Sequence, residues 1–343
     1  MRRCGKRFFH LCNMEVANLE NMGKLAFGPV PSRRLGKSLG INSIPTKTCS
    51  YSCVYCQVGK TINMTTERQY FYKPEDIFRE VKRKVVESAS RDERIDYLTF
   101  VPDGEPTLDI NLGKEISLLK QIGIPIAVLT NASLIWRHDV KEDLLEADFV
   151  SLKVDAFSEG LWRTMNRPHK DVKLNAILEG ITEFSKEFKG TVVSETMLLD
   201  GVSHGNELDK VADFLKHLKR PDKAYVAIPT RPPTEKWVKP AKEETINAAF
   251  QVFSEKLGAN RVEYLIGYEG NAFAFTGKVV EDLLSITAVH PMRREAVKEF
   301  LRKADVDWNV IEKLLNEDKL VELEYEGNAY YIRRLSSRTC SHV

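Results

Sequence analysis

DYLTFVPDGEPTLDINLGKEISLLKQIGIPIAVLTN, residues 96–131, decides the fold class. DYLTFV (96–101) is short and rich in aromatic and branched residues, and it reads as a strand. Residues 111–122 carry apolar side chains at helical spacing. IPIAVLT (124–130) reads as a second, buried strand. Strand, helix, strand is a right-handed βαβ unit with parallel strands. The alternation extends outward in both directions. LGINSI (39–44), DFVSLKV (148–154), TVVSETM (191–197) and AYVAIP (224–229) are further strand candidates, and VEYLIG (262–267) is a last, peripheral one. Pro74 opens a helical stretch with Ile77, Phe78, Val81 and Val85 on one face. Other helical patterns fall around 139–146, 172–188, 205–219 and 241–257. Six such units predict an α/β fold, a partial (β/α)6 TIM-like barrel, with a doubly wound sheet as the alternative. Both put functional residues at the carboxyl ends of the strands.

Three regions follow: a tail or misassigned start at 1–21, the barrel at 22–270, and a small domain at 283–335. In the last, HPMRREAVKEFLRKA and DWNVIEKLLNEDKL have helical spacing, and LVELEYEGNAYYIRRL reads as a hairpin around Glu-Gly-Asn. Helix, helix, hairpin is a winged-helix-like pattern. Ten Lys/Arg against ten Asp/Glu from Pro291 to Val343 disfavour a strong phosphate-binding surface there. The reading is a packing or protein-interaction module.

The chain of 343 residues has a formal net charge of +2, so no global field points to nucleic acid or membrane. No apolar run of ~18 residues predicts a membrane span. The basic N-terminus lacks the ~7–15 residue apolar stretch of a signal peptide. The expectation is a cytoplasmic protein whose six cysteines stay reduced, so clustered thiols suggest a metal or catalytic site.

TCSYSCVYCQ (48–57) holds Cys49, Cys53 and Cys56 in the spacing C-x3-C-x2-C. A structural zinc wants four protein ligands, and Cys4, Cys12 and Cys340 are distant. A catalytic zinc uses three, usually with histidine or carboxylate among them. A 4Fe–4S cluster has four irons, so three thiolates would leave one open to a non-protein ligand. That last reading explains the missing fourth cysteine.

The motif, with Tyr55 before its last cysteine, resembles the signature of the radical S-adenosylmethionine (SAM) superfamily. The superfamily places the cysteines after the first barrel strand, and a Gly-Gly-Glu-Pro turn after the second. Here DGEPTL (103–108) follows DYLTFV: Gly104, Glu105 and Pro106 match, and Asp103 departs. The resemblance implies an enzyme that binds a 4Fe–4S cluster and S-adenosyl-L-methionine, cleaves the latter reductively and abstracts hydrogen from a substrate. It implies an electron donor such as flavodoxin or ferredoxin. It also implies that Gly104 admits the methionine moiety and that Glu105 or nearby carbonyls accept from its ammonium. Asn131 at the end of LTNAS, and Lys153 and Asp155 on one face of SLKVDA, are further candidates for the cofactor cavity. Glu195, buried in an apolar strand, and Arg231, suited to an anionic group, join them. FGPVPSRRLGKSLGIN (27–42), NRPH (166–169) and HPM (290–292) resemble an uncharacterised subgroup, itself distantly similar to wyosine-type tRNA-modifying synthases. Arg33, Arg34 and Lys37 in this run would contact phosphate or brace the barrel rim. The substrate stays open among small molecule, peptide and tRNA. A non-enzymatic iron–sulfur DNA-binding regulator is the contrasting alternative.

Overall fold

The computed structural model describes residues 25–219 and 221–334. The expected tail at 1–21, and Cys4, Cys12 and Cys340, lie outside the described residues. The chain opens with β1 (Ala26–Ser32), β2 (Gly36–Ile41) and two short strands, β3 (Thr48–Cys49) and β4 (Asn63–Met64). Then follow α1 (Pro74–Ala89), β5 (Tyr97–Phe100), α2 (Leu112–Leu119), β6 (Ile126–Thr130), α3 (His138–Leu145) and β7 (Phe149–Lys153). Next come α4 (Glu159–Asn166), α5 (Leu174–Glu187), β8 (Thr191–Met197), α6 (Glu207–His217), β9 (Lys223–Ala227), α7 (Glu243–Leu257) and β10 (Val262–Leu265). The C-terminal part adds α8 (Val279–Val289), β11 (Met292–Arg293), α9 (Arg294–Ala304), α10 (Asn309–Asn316), β12 (Leu320–Tyr325) and β13 (Asn328–Arg333).

One sheet runs in the order β1-β2-β5-β6-β7-β8-β9-β10, with every neighbouring pair parallel except β1 and β2. The register sets Ile41 opposite Phe100, Phe100 opposite Val128, Val128 opposite Val150, and Val150 opposite Val192. Strand side chains alternate between faces. That row therefore joins the main core, together with Ile77, Val81, Ile116 and Phe184 of the helices. The alternate residues, among them Ala127, Phe149, Val193 and Ala227, form a separate cluster inside the curve of the sheet. β1 and β10 are the two edges, so the barrel is open. Arg33, in the turn after β1, ties the edges: its Nη1 donates to the carbonyls of Leu265 (2.6 Å) and Gly267 (2.8 Å).

Sequence reading missed β1, because the two prolines of FGPVPS break a strand pattern. An edge strand tolerates them: the pairing with β2 is irregular between Phe27 and Val30, and a proline there removes no interior ladder bond. The first parallel strand begins at Gly36 rather than Leu39, since the β1 hairpin pairs Ser32 with Gly36. It ends at Ile41, where the Asn42 amide turns to the Leu25 carbonyl.

The helix, helix, hairpin succession expected near the C-terminus runs from α9 to β13, with α8 and β11 preceding it. β11, β13 and β12 make a three-stranded antiparallel sheet. Its core of Phe300, Ile311, Leu314 and Tyr331 continues through Leu283 and Ile286 to Phe27 and Val30 of β1. Among the described residues no helix is long and apolar enough to cross a membrane.

A buried ion pair fastens α8 to the barrel. Lys84 Nζ of α1 lies 2.8 Å from Asp282 Oδ1, and both side chains are essentially inaccessible to water. Asp282 also accepts from the amide (2.8 Å) and hydroxyl (2.6 Å) of Thr276. Removing one partner strands the other charge, at a cost of about 3–5 kcal/mol. Lys84→Met alone is expected to lower the denaturation midpoint sharply. Lys84→Met with Asp282→Leu should recover much of the loss, and a single variant as stable as the parent would show the pair to be idle.

Candidate metal centre and active-site lumen

Cys49 ends β3, and Cys53 and Cys56 follow in the next turns, where the Cys56 amide donates to the Cys53 carbonyl at 3.1 Å. Two walls pin this loop. On one side the amides of Ser52 and Val54 donate to the carbonyls of Asn166 (3.1 Å) and Met165 (2.9 Å) at the end of α4. On the other, the Glu105 amide donates to the Thr48 carbonyl at 3.2 Å. Gly104 makes that approach possible, since a Cβ there would stand 1.9 Å from the Thr48 oxygen. The three thiols are the free cysteines among the described residues and are half-buried. Each of two sulfurs has an amide side chain beside it: Asn131 Nδ2 is 3.6 Å from Cys49 Sγ, and Asn166 Nδ2 is 3.6 Å from Cys53 Sγ.

Burial pushes all three thiols up, Cys53 to about 12. Bare, they would be neutral; iron bound to them would offset that desolvation. N–H donors beside the sulfurs suit thiolate ligands of an iron–sulfur cluster. Among the described residues no three His, Cys, Asp or Glu side chains converge as ligands of one metal ion. A four-iron cluster, with each thiolate on a different iron, needs no such convergence. Three sulfur ligands in one loop, two with N–H donors beside them, fit an iron–sulfur cluster.

In the DGEP turn the Glu105 carboxylate bonds the protein itself. Oε1 accepts from the hydroxyls of Thr130 (2.6 Å) and Thr107 (2.7 Å) and from the Thr107 amide (3.1 Å), and Oε2 accepts from the Asn131 amide (2.7 Å). Burial raises this carboxyl, while the bonds from Thr130, Asn131 and Thr107 lower it. Pro106 starts the short 3-10 turn that holds Thr107. Asp103, the departure from the superfamily turn, has a partner in Lys47, whose Nζ is 3.1 Å from Oδ1. Burial raises Asp103 to about 6 against the pull of Lys47.

The other candidates also have protein partners. The Tyr55 hydroxyl donates to Asp155, which further accepts from Asn166 Nδ2 (2.7 Å) and the Met197 amide (2.9 Å). Lys153 bonds Glu195, not a free carboxylate, and lies 5.1 Å from the centre of the Tyr55 ring. Arg34 pairs with the same Glu195. Burial alone would raise the Glu195 carboxyl, but Lys153 and Arg34 hold it well below the usual range. Asn131 accepts from the Ser133 amide (2.9 Å) and donates to Ser50 (3.0 Å), as a turn residue does. Lys37 pairs with Glu93 away from the site.

Beside the cysteine loop the sheet encloses a cavity of about 120 Å³, lined by Ser38, Thr99, Leu129, Arg33, Arg34 and Arg231, among others. Arg231 pairs with Glu269, bonds Gln57 next to Cys56, and lies 3.1 Å from His290 Nε2. The same nitrogen of His290 lies 2.9 Å from Glu269. Burial, then the charges of Arg231 and Arg33, push His290 well below its usual value, so its ring is neutral. Asn166, Glu269, His290 and Lys47 are the functional candidates that sequence reading did not single out. NRPH and HPM held two of them, but only as runs of resemblance.

Comparison with known proteins agrees with this geometry. The family model described as the Radical SAM superfamily matches residues 43–215. A UPF0026 protein of Methanocaldococcus jannaschii is 53% identical over 92% of this chain and 97% of its own length. A UPF0026 protein of Synechocystis is 37% identical over 60% of this chain and 76% of its own. The solved structure of Streptococcus suis SuiB bound to precursor peptide SuiA shares the fold, with a TM-score of 0.52 and 15% identity over 79% of this chain and 56% of that one.

Glu105→Gln tests the role of the occupied carboxylate. The amide keeps the volume but loses one acceptor, stranding a buried donor at roughly 1–3 kcal/mol. Expected are a lower thermal midpoint and reduced iron content after reconstitution. Unchanged stability and iron with weaker cofactor affinity would show instead that Glu105 serves the cofactor.

Proposed function

The chain belongs to the radical SAM superfamily, and from that premise we propose that Cys49, Cys53 and Cys56 hold its 4Fe–4S cluster and that the adjoining lumen receives the substrate. Superfamily members bind such a cluster together with S-adenosyl-L-methionine, and membership implies an enzyme. The regulator alternative is set aside on that ground. The observation that carries the proposal is the loop itself. Three half-buried thiols project from one segment, two have amide N–H groups beside them, and Gln57 passes from the last of them into the lumen.

When bound, the cluster and S-adenosyl-L-methionine supply a one-electron route to a carbon radical able to take hydrogen from a substrate. The protein's part is binding, orientation and exclusion of water. Asn131 and Asn166 orient the sulfurs of Cys49 and Cys53. Lys47 sets a positive charge near Cys56, lowering a thiol that burial raises. Tyr55, Asp155 and Asn166 form a closed hydrogen-bonded group behind Cys53, so that wall holds its shape as ligands enter. Gly104 lies against Thr48 and the Asn131 side chain against Cys49, and the methionine end of the cofactor would lie on that side. Backbone carbonyls of the turn, rather than Glu105, are then the acceptors for its ammonium. A protein one-electron donor such as flavodoxin or ferredoxin is the partner this reading requires.

The test is anaerobic. Reconstituted protein is expected to bind about four irons per chain, and to form 5′-deoxyadenosine from S-adenosyl-L-methionine after reduction with dithionite. The variant with Cys49, Cys53 and Cys56 all changed to alanine should lose both. Retention of iron by that variant would sink the ligand assignment.

A further inference from the structure

We propose that the lumen binds an anionic group of the substrate, a carboxylate or a phosphate ester, through the guanidinium of Arg33, beside the Arg231–Glu269 pair. The proposal rests on the reading of the lumen as the substrate chamber and names the class of molecule that enters it.

The charge balance of the wall carries the argument. The lining holds three guanidiniums, Arg33, Arg34 and Arg231, but a single carboxylate, Glu269. Glu269 is taken by Arg231. Arg34 must share Glu195 with Lys153. Arg33 has no carboxylate partner among the described residues. Its bonds run from Nη1 to the backbone oxygens of Leu265 and Gly267, and Nε and Nη2 have no protein acceptor there. Burial and the charge of Arg231 lower Arg33 to about 10, while Glu269 and Glu195 pull it the other way. Arg33 is nonetheless itself exposed to solvent, so its Nε and Nη2 are open to an anion that enters from outside.

The geometry favours an anion over a neutral polar group. A guanidinium offers donors in a rigid fork that matches carboxylate and phosphate oxygens. The Nε and Nη2 of Arg231 are on Glu269 and its Nη1 is on Gln57, so the fork left for a ligand is that of Arg33, and Arg231 is a fixed neighbour. Neutral His290 adds no further charge, and the hydroxyls of Ser38 and Thr99, 2.6 Å apart, supply a polar floor. A cavity of about 120 Å³ has room for an anionic head of a few heavy atoms. Because Gln57 bonds Arg231 and directly follows Cys56, a substrate anchored there is held beside the cysteine loop.

The probes are methyl phosphate and succinate, titrated calorimetrically into full-length, cluster-reconstituted protein. Excess S-adenosyl-L-methionine keeps any open iron occupied. At least one probe should bind saturably at millimolar concentration or better, and the tighter one identifies the source of the anion. Arg33→Gln should weaken it at least tenfold, while Arg79→Gln, on the outer face of α1, should not change it. Iron content and thermal midpoint are measured first for each variant. Phenylglyoxal labelling of the parent protein, mapped by mass spectrometry, needs no variant: the probe should slow modification of Arg33 but not of Arg79. The inference is overturned if neither probe binds, if a folded Arg33→Gln binds as the parent does, or if Arg33 is not protected. Anion binding without 5′-deoxyadenosine formation would remove only the radical reading; the reverse result would remove only this inference.

Discussion

A single buried carboxylate organises the cofactor end of the barrel. Glu105 accepts four hydrogen bonds, from Thr107 twice, from Thr130 and from the Asn131 amide, while its own amide holds the Thr48 carbonyl. A buried carboxylate is tolerable only when its acceptor positions are filled, so the turn after β5, the end of β6 and the start of the cysteine loop must take one arrangement. Asn131 then falls beside Cys49. The loop's opposite wall is set in the same way by Asp155, which gathers Tyr55, Asn166 and Met197. The thiols thus lie between two hydrogen-bonded carboxylates, each with partners within the protein.

The open edge of the barrel is managed by charge. Arg33 spans the gap between β1 and β10, and Arg231, Glu269 and His290 join the ends of β9, β10 and α8 on the same side. His290 comes from the C-terminal part of the chain, so that part contributes to the lumen wall as well as to its own core. Lys84 and Asp282 fasten α8 in place from the outer face. The result is a chamber whose apolar and hydroxyl wall comes from the strands and whose cations come from the two edges. Three guanidiniums and one carboxylate line it, and each guanidinium has a protein partner, Arg33 through Nη1 alone.

Much of this was legible in the linear chain, and the reasons are local. The βαβ alternation at 96–131 follows from periodicity, which depends on which faces an isolated element must bury. TVVSETM (191–197) was read with its observed bounds, β-branched residues filling most of the run. C-x3-C-x2-C at 49–56 and Gly-Glu-Pro at 104–106 are contiguous, so the resemblance they carry can be recognised in the linear chain. β1 was not legible, since its prolines are acceptable only at an edge, and being an edge is a property of the whole sheet.

The roles of the polar residues were decided by tertiary structure. Lys153 and Asp155 were recognisable as charges on one strand face, but Lys153 finds Glu195 42 residues away and Asp155 gathers Tyr55, Asn166 and Met197 from 100, 11 and 42 residues away. No spacing rule names Glu195 as the mate of both Lys153 and Arg34, or sets His290 against an arginine 59 residues earlier. A strand's face and a motif's ligands are fixed by neighbours in sequence. Whether a buried charge is spent within the protein or left for a ligand depends on which side chains the barrel's curvature brings into one cavity, and only the folded chain determines that.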